Sequence, residues 1–204
     1  GRFDGITPRG EAYKDEGCDS PGREPLSFRV SQAVSDIQAT VDFLEASPHY
    51  STTNVTLLTF SAASTEGRRA VASESRGRIR GWVSIVGMPD LQYTLRATSG
   101  GLDYAYGVAR GLKFGLQEVL GVLVDIDHMA PDALDKGLIF LEDARRDMAA
   151  IEVPVTWVHG RHDGWMDLER VRELMSCGDT NLRRLVEVPA GHQLRTSTEA
   201  LGVF

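Results

Sequence analysis

From Ser27 onward the apolar side chains fall into two spacings. Val30, Val34, Ile37, Val41 and Leu44 recur every three or four positions and so share one face of a helix. Ser47 and Pro48 stop it. The run "VTLLTF" at 55–60 is different: short, nearly continuous and apolar, as in a strand buried on both faces. "GWVSIVG" at 81–87, "VPVTWVHG" at 153–160 and "LRRLVEVP" at 182–189 repeat that pattern. The first run is followed by "AASTEGRRAVAS", small and helix-tolerant apart from Gly67. Leu168, Val171, Leu174 and Met175 mark a helix over 167–177, and a further helix is expected from Ser197. Strands alternating with helices predict an α/β chain with a mostly parallel central sheet covered on both faces.

The span 88–150 breaks this rhythm. It predicts helical stretches around 106–120 and 132–149 and shows no clear strand. Such an insertion between two strands of a parallel sheet covers the carboxyl edge, where ligands bind in α/β folds. The expected organisation is therefore a core of residues 1–87 and 151–204 with a helical cap at 88–150. Residues 5–26, rich in Gly, Pro and Asp, read as a loop.

Composition narrows the picture. With 204 residues the chain can bury one sizeable core, and 42% hydrophobic with 25% charged residues is ordinary for a globular domain. A net charge of −7 argues against a nucleic-acid surface. No apolar stretch is long enough for a membrane helix, and the polar first 25 residues do not read as a signal peptide. Cys18 and Cys177 are too few for a disulfide framework, so a cytoplasmic setting is expected. Basic runs occur at Arg76, Arg78 and Arg80, at Arg145 and Arg146, and at Arg183 and Arg184, and read most simply as solvated faces.

The first apolar run ends at Ser61, in the frame Thr59-Phe60-Ser61-Ala62-Ala63. A nucleophilic serine on a strained strand-to-helix turn is written G-x-S-x-G, with small residues where the backbone folds tightly. Both glycines are replaced here, so the pentapeptide alone is a weak signal. The later chain strengthens it. Asp163 follows the third strand in "HGRHDGW", and His192 follows the fourth in "VPAGHQL". A serine hydroxyl needs an adjacent base, and the base an orienting acid. Serine, acid and histidine, each just past the carboxyl end of a parallel strand, could converge on one rim. Ser64 competes as nucleophile but lies about a turn further into the helix. His159 and His162 with Asp163 lack a metal-binding spacing, and no cofactor or metal is implied.

This order of residues resembles the α/β-hydrolase superfamily. "RFDG" at 2–5, "LTFSAAS" at 58–64, "VGMPDLQYTL" at 86–95, "LDYAYG" at 102–107, "VPVTWVHGRHDGWM" at 153–166 and "AGHQL" at 190–194 resemble, in order, the bacterial bioluminescence acyl-transferases, which are acyl-ACP thioesterases. The resemblance implies an α/β-hydrolase fold with Ser61 as nucleophile, Asp163 as acid and His192 as base. It implies the Ala62 N–H as an oxyanion donor, and Phe60 and Trp165 beside the substrate. The implied reaction is acyl transfer from a thioester, fatty or polyketide, to Ser61 and then to water or another acceptor. The implied partner is an acyl carrier protein, which would need a basic patch such as Arg78 and Arg80 on so acidic a chain. A carboxylesterase or serine peptidase of the same fold, or a non-catalytic hydrolase-like binding domain, are the alternatives. In the resembled family "RFDG" begins the fourth strand, so three strands and the loop giving the second oxyanion donor have no counterpart here. The expectation is a piece of a longer protein.

Overall fold

The computed structural model describes residues 28–51, 53–119, 122–194, 197, 198 and 202. The expected loop at 5–26, the "RFDG" stretch, Cys18 and most of the expected C-terminal helix lie outside the described residues. In chain order the elements are α1 (Val30–Ala46), β1 (Val55–Phe60), α2 (Ala63–Ala72), β2 (Ile79–Ile85), α3 (Leu91–Thr98), α4 (Tyr104–Ala109), β3 (Leu116–Val119), β4 (Val122–Asp125), α5 (Ile126–Asp135), α6 (Leu141–Ala150), β5 (Val155–Gly160), α7 (Leu168–Met175), a one-turn helix (Thr180–Leu182) and β6 (Arg183–Val188).

Four strands form one parallel sheet in the order β1-β2-β5-β6. Register sets which side chains share a face. Leu57 lies beside Trp82, Thr59 beside Ser84, and Ser84 beside Trp157. This face carries the larger core. Trp82 and Trp157 meet edge to face at 5.7 Å and pack with Val71 of α2, Ala144 and Met148 of α6, and Val171 and Leu174 of α7. Truncating either tryptophan opens a cavity costing about 3–5 kcal/mol. The other face holds a smaller cluster of Ile85, Val86, Val158, Val188, Ala190 and Leu194. There Leu58 and Phe60 of β1 stay 60% and 45% exposed. β1 borders the sheet among the described residues.

α1 follows its sequence pattern: Val30, Val34, Ile37 and Val41 are its buried residues, and it ends at Ala46 before Ser47. It packs against α2 and α5. The serine side chain at its start donates to the Asp132 carboxylate of α5 (Ser31 Oγ–Oδ1 2.6 Å). The insertion shares its core with the rest of the domain, since Val34, Ile37, Ala70 and Met166 cluster with Leu91, Leu95, Tyr104, Ile126 and Met129.

Two sequence expectations for the insertion are corrected. The stretch 106–120 is not one helix, and the span does contain strands. α4 ends at Ala109, and β3 and β4 pair antiparallel, Leu116 opposite Asp125 and Val119 opposite Val122. The Asp127 carboxylate accepts the N–H groups of Phe114 (2.8 Å) and Gly115 (3.2 Å), which takes those amides out of any continuing helix. A short apolar run reads equally as strand or helix, and here side-chain chemistry outside it decides.

Candidate active site

β1 runs straight into a turn made by one residue. Ser61 has φ +56°, while Ala62, at φ −56° and ψ −37°, already has helical geometry and caps α2. A side chain in the left-handed region is uncommon and persists where its surroundings hold it. Here the holding is done by main chain. The Ser61 N–H donates to the Ile85 carbonyl at 3.0 Å, and the Ser61 carbonyl accepts from Ser64 N at 3.1 Å and Met88 N at 3.2 Å.

The structure also explains how the turn tolerates Thr59 in place of a glycine. Thr59 is buried, and its Oγ1 accepts the Trp82 indole N–H at 2.9 Å and meets Ser64 Oγ at 3.1 Å, which in turn meets Ser84 Oγ at 2.8 Å. Space for its methyl comes from Gly67 of α2, where an added Cβ would lie 2.4 Å from Thr59 Cγ2. The tight approach has moved from the strand to the helix one turn on. Ser64, fully buried in this hydroxyl chain, is spoken for.

Asp163 lies just past β5, in a turn closed by Asp163 N to Gly160 O at 3.0 Å. Its side chain is fully buried. Oδ1 accepts the Trp165 N–H at 3.0 Å, leaving Oδ2 for His192 Nδ1 at 2.8 Å. The Asp163 and His192 loops are laced together: Arg161 N donates to Val188 O (2.8 Å) and His162 N to Ala190 O (3.0 Å). Gly160 permits this contact, because a Cβ there would stand 2.5 Å from Ala190 O and 2.7 Å from Gly191 O.

His192 closes the arrangement, with Nε2 at 2.8 Å from Ser61 Oγ. A carboxylate can only accept, so the hydrogen-bond pattern assigns the proton to Nδ1 and makes Nε2 the acceptor for the serine hydroxyl. Trp165 and Phe60 flank the imidazole, ring centroids 4.8 and 5.7 Å away, and both are partly exposed, so they line the approach to it. The Ala62 amide lies at the N-cap of α2, beside the first helical N–H groups that have no partner within the helix. Ser61, Ala62, Phe60, Asp163, Trp165 and His192 are thus brought to one end of the sheet.

The other candidates stand apart. His159, buried at the end of β5, is held below the usual histidine range by burial, partly offset by the carboxylates of Asp163 and Glu187. Among the described residues no three His, Cys, Asp or Glu side chains converge to hold a metal ion. Of the basic runs, Arg78 is enclosed by Glu74 (2.7 Å), Glu45 (3.2 Å) and Asp42, and Arg76 pairs with Glu45 (3.4 Å). Arg183 donates to the carbonyls of Met148, Ile151 and Val153. Burial pushes Glu66, on α2, up to about 7.

Several residues on which the site depends carry little signal in the sequence. Gly67 looked like a blemish in a helix. The Trp165 amide, the Gly160 contact and the backbone at residue 86 left no side-chain signal. The nearest clue was the pairing of a bulky residue before the serine with a glycine six positions after it.

A parallel sheet with a serine in a left-handed strand-to-helix turn, facing a carboxylate just past β5 and a histidine just past β6, defines a class: this chain has the α/β-hydrolase fold. No protein-family model and no curated protein sequence matches it. Among solved structures it is similar to a monoacylglycerol lipase from Paleococcus ferrophilus at 16% identity and TM-score 0.57, over 84% of this chain and 70% of that one. It is similar to the Pyrococcus furiosus esterase Pf2001 at 17% identity and TM-score 0.54, covering 84% of this chain but only 56% of that one. An enol-lactonase from Burkholderia xenovorans aligns at 17% identity and TM-score 0.53, over 86% and 72% of the two chains. At these identities the likeness is one of fold. No described helix is long and apolar enough to cross a membrane.

Proposed function

We propose that this chain is a serine hydrolase that cleaves acyl esters or thioesters through an acyl-serine at Ser61. The observation that carries the reading is the unbroken line Ser61 Oγ–His192 Nε2–Asp163 Oδ2, with both links 2.8 Å long. The Ser61 oxygen attacks the acyl carbon as its proton passes to Nε2, and the carbonyl π electrons move to oxygen. The Ala62 N–H donates to that oxyanion. Asp163 keeps Nδ1 protonated and offsets the imidazolium charge. Collapse breaks the bond to the leaving alcohol or thiol, which takes the proton from Nε2. Water then adds by the same route and releases the acid. One oxyanion donor is worth about 10²–10³-fold in rate.

The substrate class rests on two supports. The solved relatives in fold are an esterase, a lipase and a lactonase, which favours oxygen esters. The motif resemblance to acyl-ACP thioesterases favours a thioester, with Phe60 and Trp165 against the acyl chain and part of the 88–150 insertion as a cap. Since Arg78 is already ion-paired, an acyl carrier would have to meet other basic residues, exposed Arg80 among them. The test is turnover of p-nitrophenyl esters and acyl-CoA thioesters of rising chain length. Turnover that vanishes in S61A and persists in S64A is expected; equal turnover in S61A and the parent overturns the reading. A preference for thioesters selects the acyl-transferase branch, and a preference for oxygen esters selects the esterase branch.

A further inference from the structure

The second non-glycine residue with positive φ is Val86, at φ +43°, immediately after β2. A β-branched side chain is the least suited to the left-handed region, and such a conformation survives only where its neighbours over-determine it. Two of those neighbours hold the Ser61 turn. On one side of Val86, the Ile85 carbonyl receives the Ser61 N–H; on the other, the Met88 N–H donates to the Ser61 carbonyl. The turn at Val86 is what lets Ile85 and Met88, on either side of it, grip both polar groups of the Ser61 backbone. Its own N–H is anchored to the Val158 carbonyl at 2.8 Å.

The side chain looks the other way. Val86 is fully buried in the cluster of Ile85, Val158, Val188, Ala190 and Leu194. Ala190 and Leu194 lie two residues before and two residues after His192. A glycine would adopt this φ without strain but would leave that cluster without its side chain. The strain therefore accompanies a specific link: main chain to the serine turn, side chain to the histidine loop.

We infer that Val86 is a positioning residue that couples the Ser61 turn to the His192 loop and so sets the distance between hydroxyl and imidazole. This rests on Ser61 and His192 being the reacting pair. The test compares V86G and V86A with V158A, which truncates another member of the same cluster while leaving the Val158 carbonyl in place. With p-nitrophenyl acetate, V86G and V86A are expected to lose about 10- to 100-fold in kcat with KM within about twofold, as sub-ångström misplacement of reacting groups does. V158A is expected to lower Tm while holding kcat within about threefold of the parent. V86A retains a Cβ and guards against a variant that does not fold. Parental kcat in both Val86 variants, or an equal loss in V158A, overturns the inference. If the parent chain turns over no ester or thioester, the serine-hydrolase reading falls by itself. The coupling is then read from the His192 Nε2 nitrogen chemical shift, which reports its bond to Ser61. That shift should move in V86G and V86A but not in V158A, and equal shifts in all four proteins overturn the inference.

Discussion

The serine turn and the histidine loop come within 2.8 Å of each other, yet they are held in different ways. Ser61 is fixed by three main-chain hydrogen bonds, by the helix that starts two residues later and by a buried run of hydroxyls beside it. His192 sits on a loop and is steered by side chains: the Asp163 carboxylate on Nδ1, and the rings of Trp165 and Phe60 beside it. The place of Ser61 is thus a property of the backbone, vulnerable to changes of volume. The place of His192 is a property of contacts, vulnerable to deletion of a functional group. This difference says which substitutions matter at each end.

The largest effect belongs to the histidine side. D163N leaves the shape intact but gives Nδ1 the wrong partner, and kcat should fall by about 10⁴-fold, measured on any ester the parent turns over. On the serine side, G67A should act through volume. Its methyl meets Thr59 Cγ2, and overpacking costs about 1–3 kcal/mol, set against about 1 kcal/mol gained in helix propensity. Urea unfolding should show the net loss. T59S/G67A should recover it, because serine keeps the hydroxyl for Trp82 and Ser64 and removes the clashing methyl. Absence of that recovery would mean the two positions do not share the space assigned to them.

W165A should be milder. It strips the ring from His192 while the residue-165 amide still serves Asp163, so kcat should drop by about 2- to 10-fold, in line with a single aromatic contact. A further effect concerns pH. Glu66 titrates near 7 in the folded chain against 4.5 unfolded, so between those values the folded state holds the extra proton. Stability from this group is greatest below about 4.5 and is lost as pH rises through about 7, by as much as ~3 kcal/mol. Burial raises Asp90 and Asp147 in the same sense, whereas His159, held low, opposes them below about 6.5. The difference between E66Q and the parent in Tm across this range isolates Glu66; parallel curves would show that it titrates normally.

Much of the framework was legible in the sequence because burial on both faces leaves a direct mark. The runs around Leu57, Trp82, Trp157 and Val186 are the four strands, within a few residues of where the apolar pattern put them. The three polar residues of the line were legible because each follows a strand. The β3–β4 hairpin was not, since a four-residue strand carries too few positions to show a period, and the amides just before it are taken by the Asp127 side chain rather than by a backbone partner the pattern would reveal. The supports of the site were equally silent. Gly67 and Thr59 matter only as a pair, and Val86 looks like any strand-end valine until its φ is known.

The most direct test is where a fluorophosphonate probe becomes attached. Peptide mass mapping of the treated chain should place the phosphonyl group on Ser61 alone, with attachment lost in H192A. Modification of Ser64, or of Ser61 at an undiminished rate when the imidazole is gone, would contradict the account.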